Sequence, residues 1–247
     1  WRTYALGDIL MLTPILNWLK EESPTCTLSL ATSYPYLDLF KYWDVVRTVL
    51  TRQVLSLDYD AGYYLNDALE KDHLGGPESY KHRVDLYCDA LGIKPPKDPV
   101  FSLPYSELEQ DWAQEVIEPI RKRGVPVVVM QIAGSGKIKQ FDKGKVARVA
   151  DALSSKYSVI LVHHVRVEVP GCKAFNLSGK TTVHQLTALI DNSDVVVTMD
   201  SGILWIAHCT KTPVVAMLGP SREEERLSYH RNAVSVSLSE MVGCEPC

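Results

Sequence analysis

The sequence predicts an α/β protein made of two doubly wound halves, and three observations carry that prediction. Apolar runs alternate with amphipathic stretches along the whole chain, as strand–helix repeats do. Residues 125–132 (VPVVVMQI), 158–164 (SVILVHH), 195–200 (VVVTMD) and 213–218 (PVVAML) are continuous and rich in β-branched residues. Such runs suit parallel strands covered on both faces. A proline-rich join over 93–104 (IKPPKDPVFSLP) separates the halves, giving domains at 1–105 and 106–247 with a cleft between them.

Taken in order, residues 1–8 (WRTYALGD) read as a short strand entering a Gly7-Asp8 turn. Residues 9–20 are apolar almost all round, as in a buried helix. Within them Thr13-Pro14 marks either a helix start or a kink. Residues 25–32 alternate as a strand, 33–43 form a short helix, and 45–50 form a second strand. The tyrosine-rich stretch 56–65 is strand-like or loop, and Gly75-Gly76-Pro77 is a loop. Residues 78–92 make an amphipathic helix closed by Gly92. Helix 106–124 opens with Ser106 and Glu109 at capping-box spacing. After strand 125–132 comes a turn of small residues and lysines (133–142), then a helix over 143–157 and strand 158–164. An amphipathic helix within 176–194 leads to strand 195–200 and the turn Asp200-Ser201-Gly202. A further helix and strand 213–218 end at Gly219-Pro220-Ser221.

Composition excludes several classes. A length of 247 residues with 46% hydrophobic content supplies core for two such domains. A formal charge of −4 argues against a nucleic-acid binder. No apolar stretch is long enough to span a bilayer. Six cysteines are too few for a disulfide framework at this size, so a reducing compartment is expected. Cys244 and Cys247 have CxxC spacing, which without a second pair is weak evidence of a metal site.

Strands that deliver glycine turns to one sheet edge create a ligand site, and exposed N–H groups there suit phosphate. Ala133 to Lys139 follows a buried strand and could bind a diphosphate; an ordinary turn with solvated lysines fits the segment equally well. Asp200 and Ser201 at a strand's carboxyl end suit a ribose or sugar hydroxyl, or a helix cap. Gly7 allows close approach, and Asp8 is either a general base or a cap. Two Walker-like sequences, 134–137 and 178–181, lack the first glycine, having Gln131 and Ala174 in its place. His163-His164 does not read as a metal pair, because neighbours on a strand face opposite ways. Asn176-Leu177-Ser178 is a sequon without other signs of secretion.

Segments 5–20 (ALGDILMLTPILNWLK), 82–93 (HRVDLYCDALGI), 176–202 and 212–221 together resemble glycosyltransferase family 9, the ADP-heptose:lipopolysaccharide heptosyltransferase group. The resemblance implies a GT-B architecture, two Rossmann-like domains facing a cleft, with an acceptor-side domain first and a nucleotide-sugar domain second. It implies inverting, metal-independent transfer of a heptose-like sugar from a nucleoside-diphosphate donor, ADP-linked, to a saccharide, lipid-linked or protein hydroxyl. Asp8 is then the base. Ala133, Gly134, Ser135 and Lys139 contact the donor diphosphate, and Asp200, Ser201 and Gly202 contact the donor as well. No cofactor beyond the co-substrate is expected. The implied location is the cytoplasm, with peripheral contact at the inner membrane face. The chain departs from the family pattern at Trp205, where a histidine is usual, and at 219–223, GPSRE in place of GPTDP. It also opens inside its first strand and lacks the usual closing helix, as a trimmed or reduced member would. A non-catalytic nucleotide-sugar-binding or assembly protein of the same fold is the alternative, and a two-domain sugar-nucleotide epimerase a third reading.

Overall fold

The computed structural model describes residues 1–56, 59–69, 81–134, 142–219, 221–230 and 232–237. The chain divides into two compact units: Trp1–Pro104 with Glu224–Tyr229, and Tyr105–Glu223 with His230–Cys247.

The first unit contains α1 (Leu6–Leu10), α2 (Thr13–Glu22), β1 (Leu28–Thr32), β2 (Val46–Leu50) and α3 (Arg83–Leu91). Strands β1 and β2 pair in parallel, Leu28 opposite Val46 through Thr32 opposite Leu50. The short strand read over the opening residues is not formed; they run beside this two-stranded sheet, with Arg2 N donating to Ala31 O at 3.2 Å and Leu65 N donating to Trp1 O at 3.0 Å.

Sequence and structure differ here in three further places. Gly7 and Asp8 lie inside α1 and not in a turn, because Ala5 takes the reversal with φ of 60°. The predicted helix 9–20 is two helices. Pro14 has no N–H to give Leu10 O, and that carbonyl accepts instead from the Thr13 hydroxyl at 2.7 Å. Residues 34–40 wind as a 3-10 turn.

Helix α3 starts at Arg83, with the His82 Nδ1 accepting from Val84 N at 3.1 Å, and stops at Gly92 in the left-handed region (φ 69°). The loop at 75–77 and the first residues of the predicted helix lie outside the described residues.

His82 is buried and packs edge-on against Tyr229, ring centroids 4.5 Å apart. Burial pulls its pKa down to about 3, opposed by the Arg226 carbonyl and reinforced by the Arg226 and Arg83 charges. The folded protein keeps this ring neutral while the unfolded chain protonates it near the ordinary histidine value. Its contribution is therefore whole above ~6.5 and drains away as pH falls toward 3, at up to ~1.4 kcal/mol per pH unit. His82→Asn retains a strong N-cap. Urea melts at neutral and mildly acidic pH should show a shallower acid loss for this variant than for the wild type.

The second unit holds α4 (Glu107–Arg121), β3 (Val127–Gln131), α5 (Lys143–Ser154), β4 (Ser158–Val162), β5 (Phe175–Asn176) and α6 (Val183–Asp191). These are followed by β6 (Val195–Met199), α7 (Gly202–His208), β7 (Val214–Leu218), α8 (Glu223–Leu227, all but its first residue counted with the first unit) and β8 (Ala233–Ser237). The six strands form one parallel sheet in the order β5-β4-β3-β6-β7-β8. Every residue of β3 and β4 is buried, and Val146, Ala147 and Ala150 of α5 pack on Met130, Ile132, Val159 and Leu161. The capping box of α4 forms as the spacing predicts, and α6 has its own from Thr182 and Gln185. Strand β8 has no counterpart in the sequence reading: AVSVS is short, and Val234 and Val236 are exposed at the sheet edge.

Candidate functional site

The second sheet winds outward from β3 through β4 to β5, then crosses back to β6 and winds through β7 to β8. Its direction reverses between β3 and β6, and in such sheets the carboxyl ends of the strands flanking the reversal open a crevice for ligands. Two predicted donor segments leave the sheet at this point. Ala133 and Gly134 follow β3, and Asp200, Ser201 and Gly202 follow β6. Ser135 and Lys139 lie outside the described residues, as do Gly136 and Lys137 of the first Walker-like sequence.

Gln131, the last residue of β3 and 4% exposed, joins the two segments. Its Oε1 accepts from Thr198 Oγ1 at 2.6 Å, Met199 N at 3.2 Å and Ser201 Oγ at 2.8 Å. Its Nε2 donates to Ala133 O at 2.6 Å. The Ser201 hydroxyl also caps α7, accepting from Ile203 N at 3.3 Å. Asp200, 5% exposed, accepts a hydrogen bond from the Ser221 hydroxyl at the end of the next strand over. The sequence reading used Gln131 only to reject a Walker loop. A polar side chain closing an all-apolar strand was the available signal, since a buried amide must find partners.

Asp8 belongs to the first unit, on the first turn of α1. Its side chain is 25% exposed and its Oδ2 pairs with the guanidinium of Arg2, which is 3% exposed. Arg2 is anchored by Leu65 O at 3.2 Å and by Asn66 O, so it fixes the carboxylate in place. The Tyr87 hydroxyl donates to the Asp8 backbone carbonyl at 3.1 Å. A carboxylate fixed in orientation by a guanidinium and a quarter exposed to solvent is suited to act as a general base. Gly7 is buried one residue earlier.

Other candidates resolve into structure. His163 and His164 have left β4, and their rings lie together, centroids 4.3 Å apart and tilted by 39°, instead of facing opposite ways. Burial lowers the His163 pKa, and its Nδ1 lies 3.1 Å from Val165 O. Gly179 of the second Walker-like sequence has φ of 67°, and a Cβ there would meet Arg166 N at 2.5 Å. That glycine serves backbone packing. Beside it, Arg166, Glu168, Asn176, Ser178 and Lys180 line a polar hollow of about 100 Å³. Among the described residues Cys26, Cys88, Cys172 and Cys209 are free thiols. Burial pushes the Cys88 thiol up to about 12 and raises that of Cys209, so neither is a ready nucleophile. Among the described residues no three His, Cys, Asp or Glu side chains converge as metal ligands; Cys244 and Cys247 lie outside them. No helix among the described residues is long and apolar enough to cross a membrane.

Trp205, at the position where the family pattern has histidine, is 3% exposed and packs against the His208 ring at 4.8 Å between centroids.

A family model described as glycosyltransferase family 9 (heptosyltransferase) matches residues 77–247. Lipooligosaccharide heptosyltransferase 2 of Campylobacter jejuni subsp. jejuni serotype O:2 is 24% identical over 285 residues, covering 98% of this chain and 86% of that protein. Among solved structures, a glycosyl transferase family 9 protein from Veillonella parvula DSM 2008 matches with TM-score 0.75 at 16% identity, covering 98% of this chain and 86% of the other. E. coli ADP-heptose lps heptosyltransferase II matches with TM-score 0.72 at 19% identity, covering 95% and 88%.

Proposed function

Because this chain belongs to glycosyltransferase family 9, the heptosyltransferase family, we propose that it transfers a heptose-like sugar from an ADP-linked donor to a hydroxyl of a saccharide or lipid-linked acceptor, inverting the anomeric centre. Asp8 takes the acceptor hydroxyl's proton as that oxygen attacks the anomeric carbon; the carbon–oxygen bond to the diphosphate breaks, and the nucleoside diphosphate leaves. The leaving group gains charge as it departs, and backbone N–H groups around Ala133 and Gly134, with Lys139, would stabilise it. Asp200 and Gly202 would hold the donor from the neighbouring strand end.

The observation that carries this reading is the coincidence of both donor segments with the reversal point of the second sheet. It is tested by incubating the protein with ADP-heptose and a panel of core-type saccharide acceptors, with and without a chelator. Release of ADP coupled to formation of an inverted glycoside, undiminished by the chelator, is the expected result. Loss of transfer on chelation would overturn the metal-independent part. The location that fits is the cytoplasmic side of a bacterial inner membrane, where activated sugars and growing glycolipids meet.

The buried indole of Trp205 favours a second reading, a nucleotide-sugar-binding protein without turnover. ADP-sugar binding with no product over the acceptor panel would select it.

A further inference from the structure

We infer that Gln131 is a positioning residue for the donor site: one buried amide locks the turn after β3 to the turn after β6. The inference rests on the donor reading above but names a residue that reading does not use. Two sheet neighbours are joined by this one side chain. Its carbonyl oxygen collects three donors from β6 and its turn, Thr198 Oγ1, Met199 N and Ser201 Oγ. Its NH₂ group reaches the other way, to Ala133 O. Asp200 continues the line to Ser221, so side-chain bonds tie the carboxyl ends of β3, β6 and β7, consecutive strands of the sheet.

The chemistry demands an amide. All three groups facing Oε1 donate, while Ala133 O accepts, so the joining side chain must present an acceptor on one side and a donor on the other. A carboxylate satisfies the first and repels the second. A diphosphate bound to the N–H groups after β3 then meets a backbone already fixed relative to Asp200 and Gly202, and need not order the two turns itself.

Gln131→Glu tests this with a built-in reversal. The new carboxyl group is buried, so its pKa is raised and mild acid protonates it. Protonated, it donates an O–H to Ala133 O and restores the amide's pattern; ionised, it opposes Ala133 O. ADP affinity, measured by calorimetry and divided by the wild-type value at each pH, should fall roughly tenfold or more near pH 9 and recover substantially near pH 5.5. Hydrogen exchange on the full chain without nucleotide should show faster exchange over 132–134 and 199–203 at the higher pH only. Thr198→Val removes one of the three donors with little change of shape, and should weaken ADP modestly at both pH values.

ADP binding by Gln131→Glu equal to wild type at both pH values overturns the assignment. Should that variant not fold, unchanged ADP affinity in Thr198→Val overturns it equally. Wild-type protein that binds none of ADP, UDP and GDP overturns the donor reading itself, a different failure from a wild type that binds while the variants behave identically to it.

Discussion

Asp8→Asn is expected to reduce transfer by about 10²–10⁴-fold while leaving ADP binding unchanged. The amide has the shape of the carboxylate and can still accept from Arg2, so the fold and the Arg2 contacts at Leu65 O and Asn66 O persist. What it loses is the capacity to take a proton. Initial rates of ADP release with saturating donor and acceptor, alongside nucleotide titration and a thermal melt, separate these effects. A variant that folds, binds ADP and transfers at the wild-type rate removes Asp8 from the mechanism. A variant that loses ADP binding in parallel with transfer would give Asp8 a binding role instead. Arg2 sharpens the test. The guanidinium fixes the orientation of the carboxylate. Removing Arg2 should therefore lower transfer through misplacement of Asp8, with far less effect on donor affinity.

The second large effect is on stability. Glu225 is 4% exposed, with Oε1 3.7 Å from Arg83 Nη2 and 3.9 Å from Arg226 Nη1, and both arginine side chains are under a tenth exposed. Taking one partner out of a buried ion cluster leaves charge without compensation, at a cost of ~3–5 kcal/mol. Glu225→Gln should therefore lower the melting temperature by roughly 6–20 °C for a chain of this size. The cluster lies beside a second tie, in which the Tyr229 hydroxyl donates to Asp85 Oδ1 at 2.6 Å. Burial raises the Asp85 pKa, although the tyrosine hydrogen bond opposes that shift. A Glu225→Gln melt within a degree or two of wild type would show that the cluster contributes little net energy. Adding Arg83→Met to Glu225→Met then gives the coupling, because an apolar pair of similar volume can replace a buried ion pair with little loss.

How much of this was legible beforehand depended on whether the signal was local. Strands β3, β4, β6 and β7 of the second sheet were visible as continuous apolar runs, and β3 and β4, buried throughout, are apolar at all but one position each. The capping box at Ser106 and the glycine stop at Gly92 were visible for the same reason, each being a backbone need met by a nearby residue. The break between α1 and α2 was half visible, since Pro14 marked the place but not whether the chain would bend or stop. Gly7 and Asp8 were placed in a turn because glycine is the usual reversal residue, and the structure gives that work to Ala5 at positive φ. The partners of Asp8 and Gln131 were not legible. Arg2 pairs with Asp8 through an anchor at residues 65 and 66, and Gln131 meets Thr198 and Ser201 about seventy positions away. Such contacts are made by sheet order, which no local pattern encodes. The same holds for His82 and Glu225, whose partners come together only when a late segment joins an early helix.

That late segment limits how the chain can be recombined. Residues Glu224–Tyr229 count with the first unit although the sequence on both sides of them counts with the second. A chimera joined to a relative at the proline-rich stretch alone would set Arg83 from one parent against position 225 from the other. Exchanging the first unit between members of this family therefore calls for two grafts, the first hundred residues and a hexapeptide far downstream, moved together.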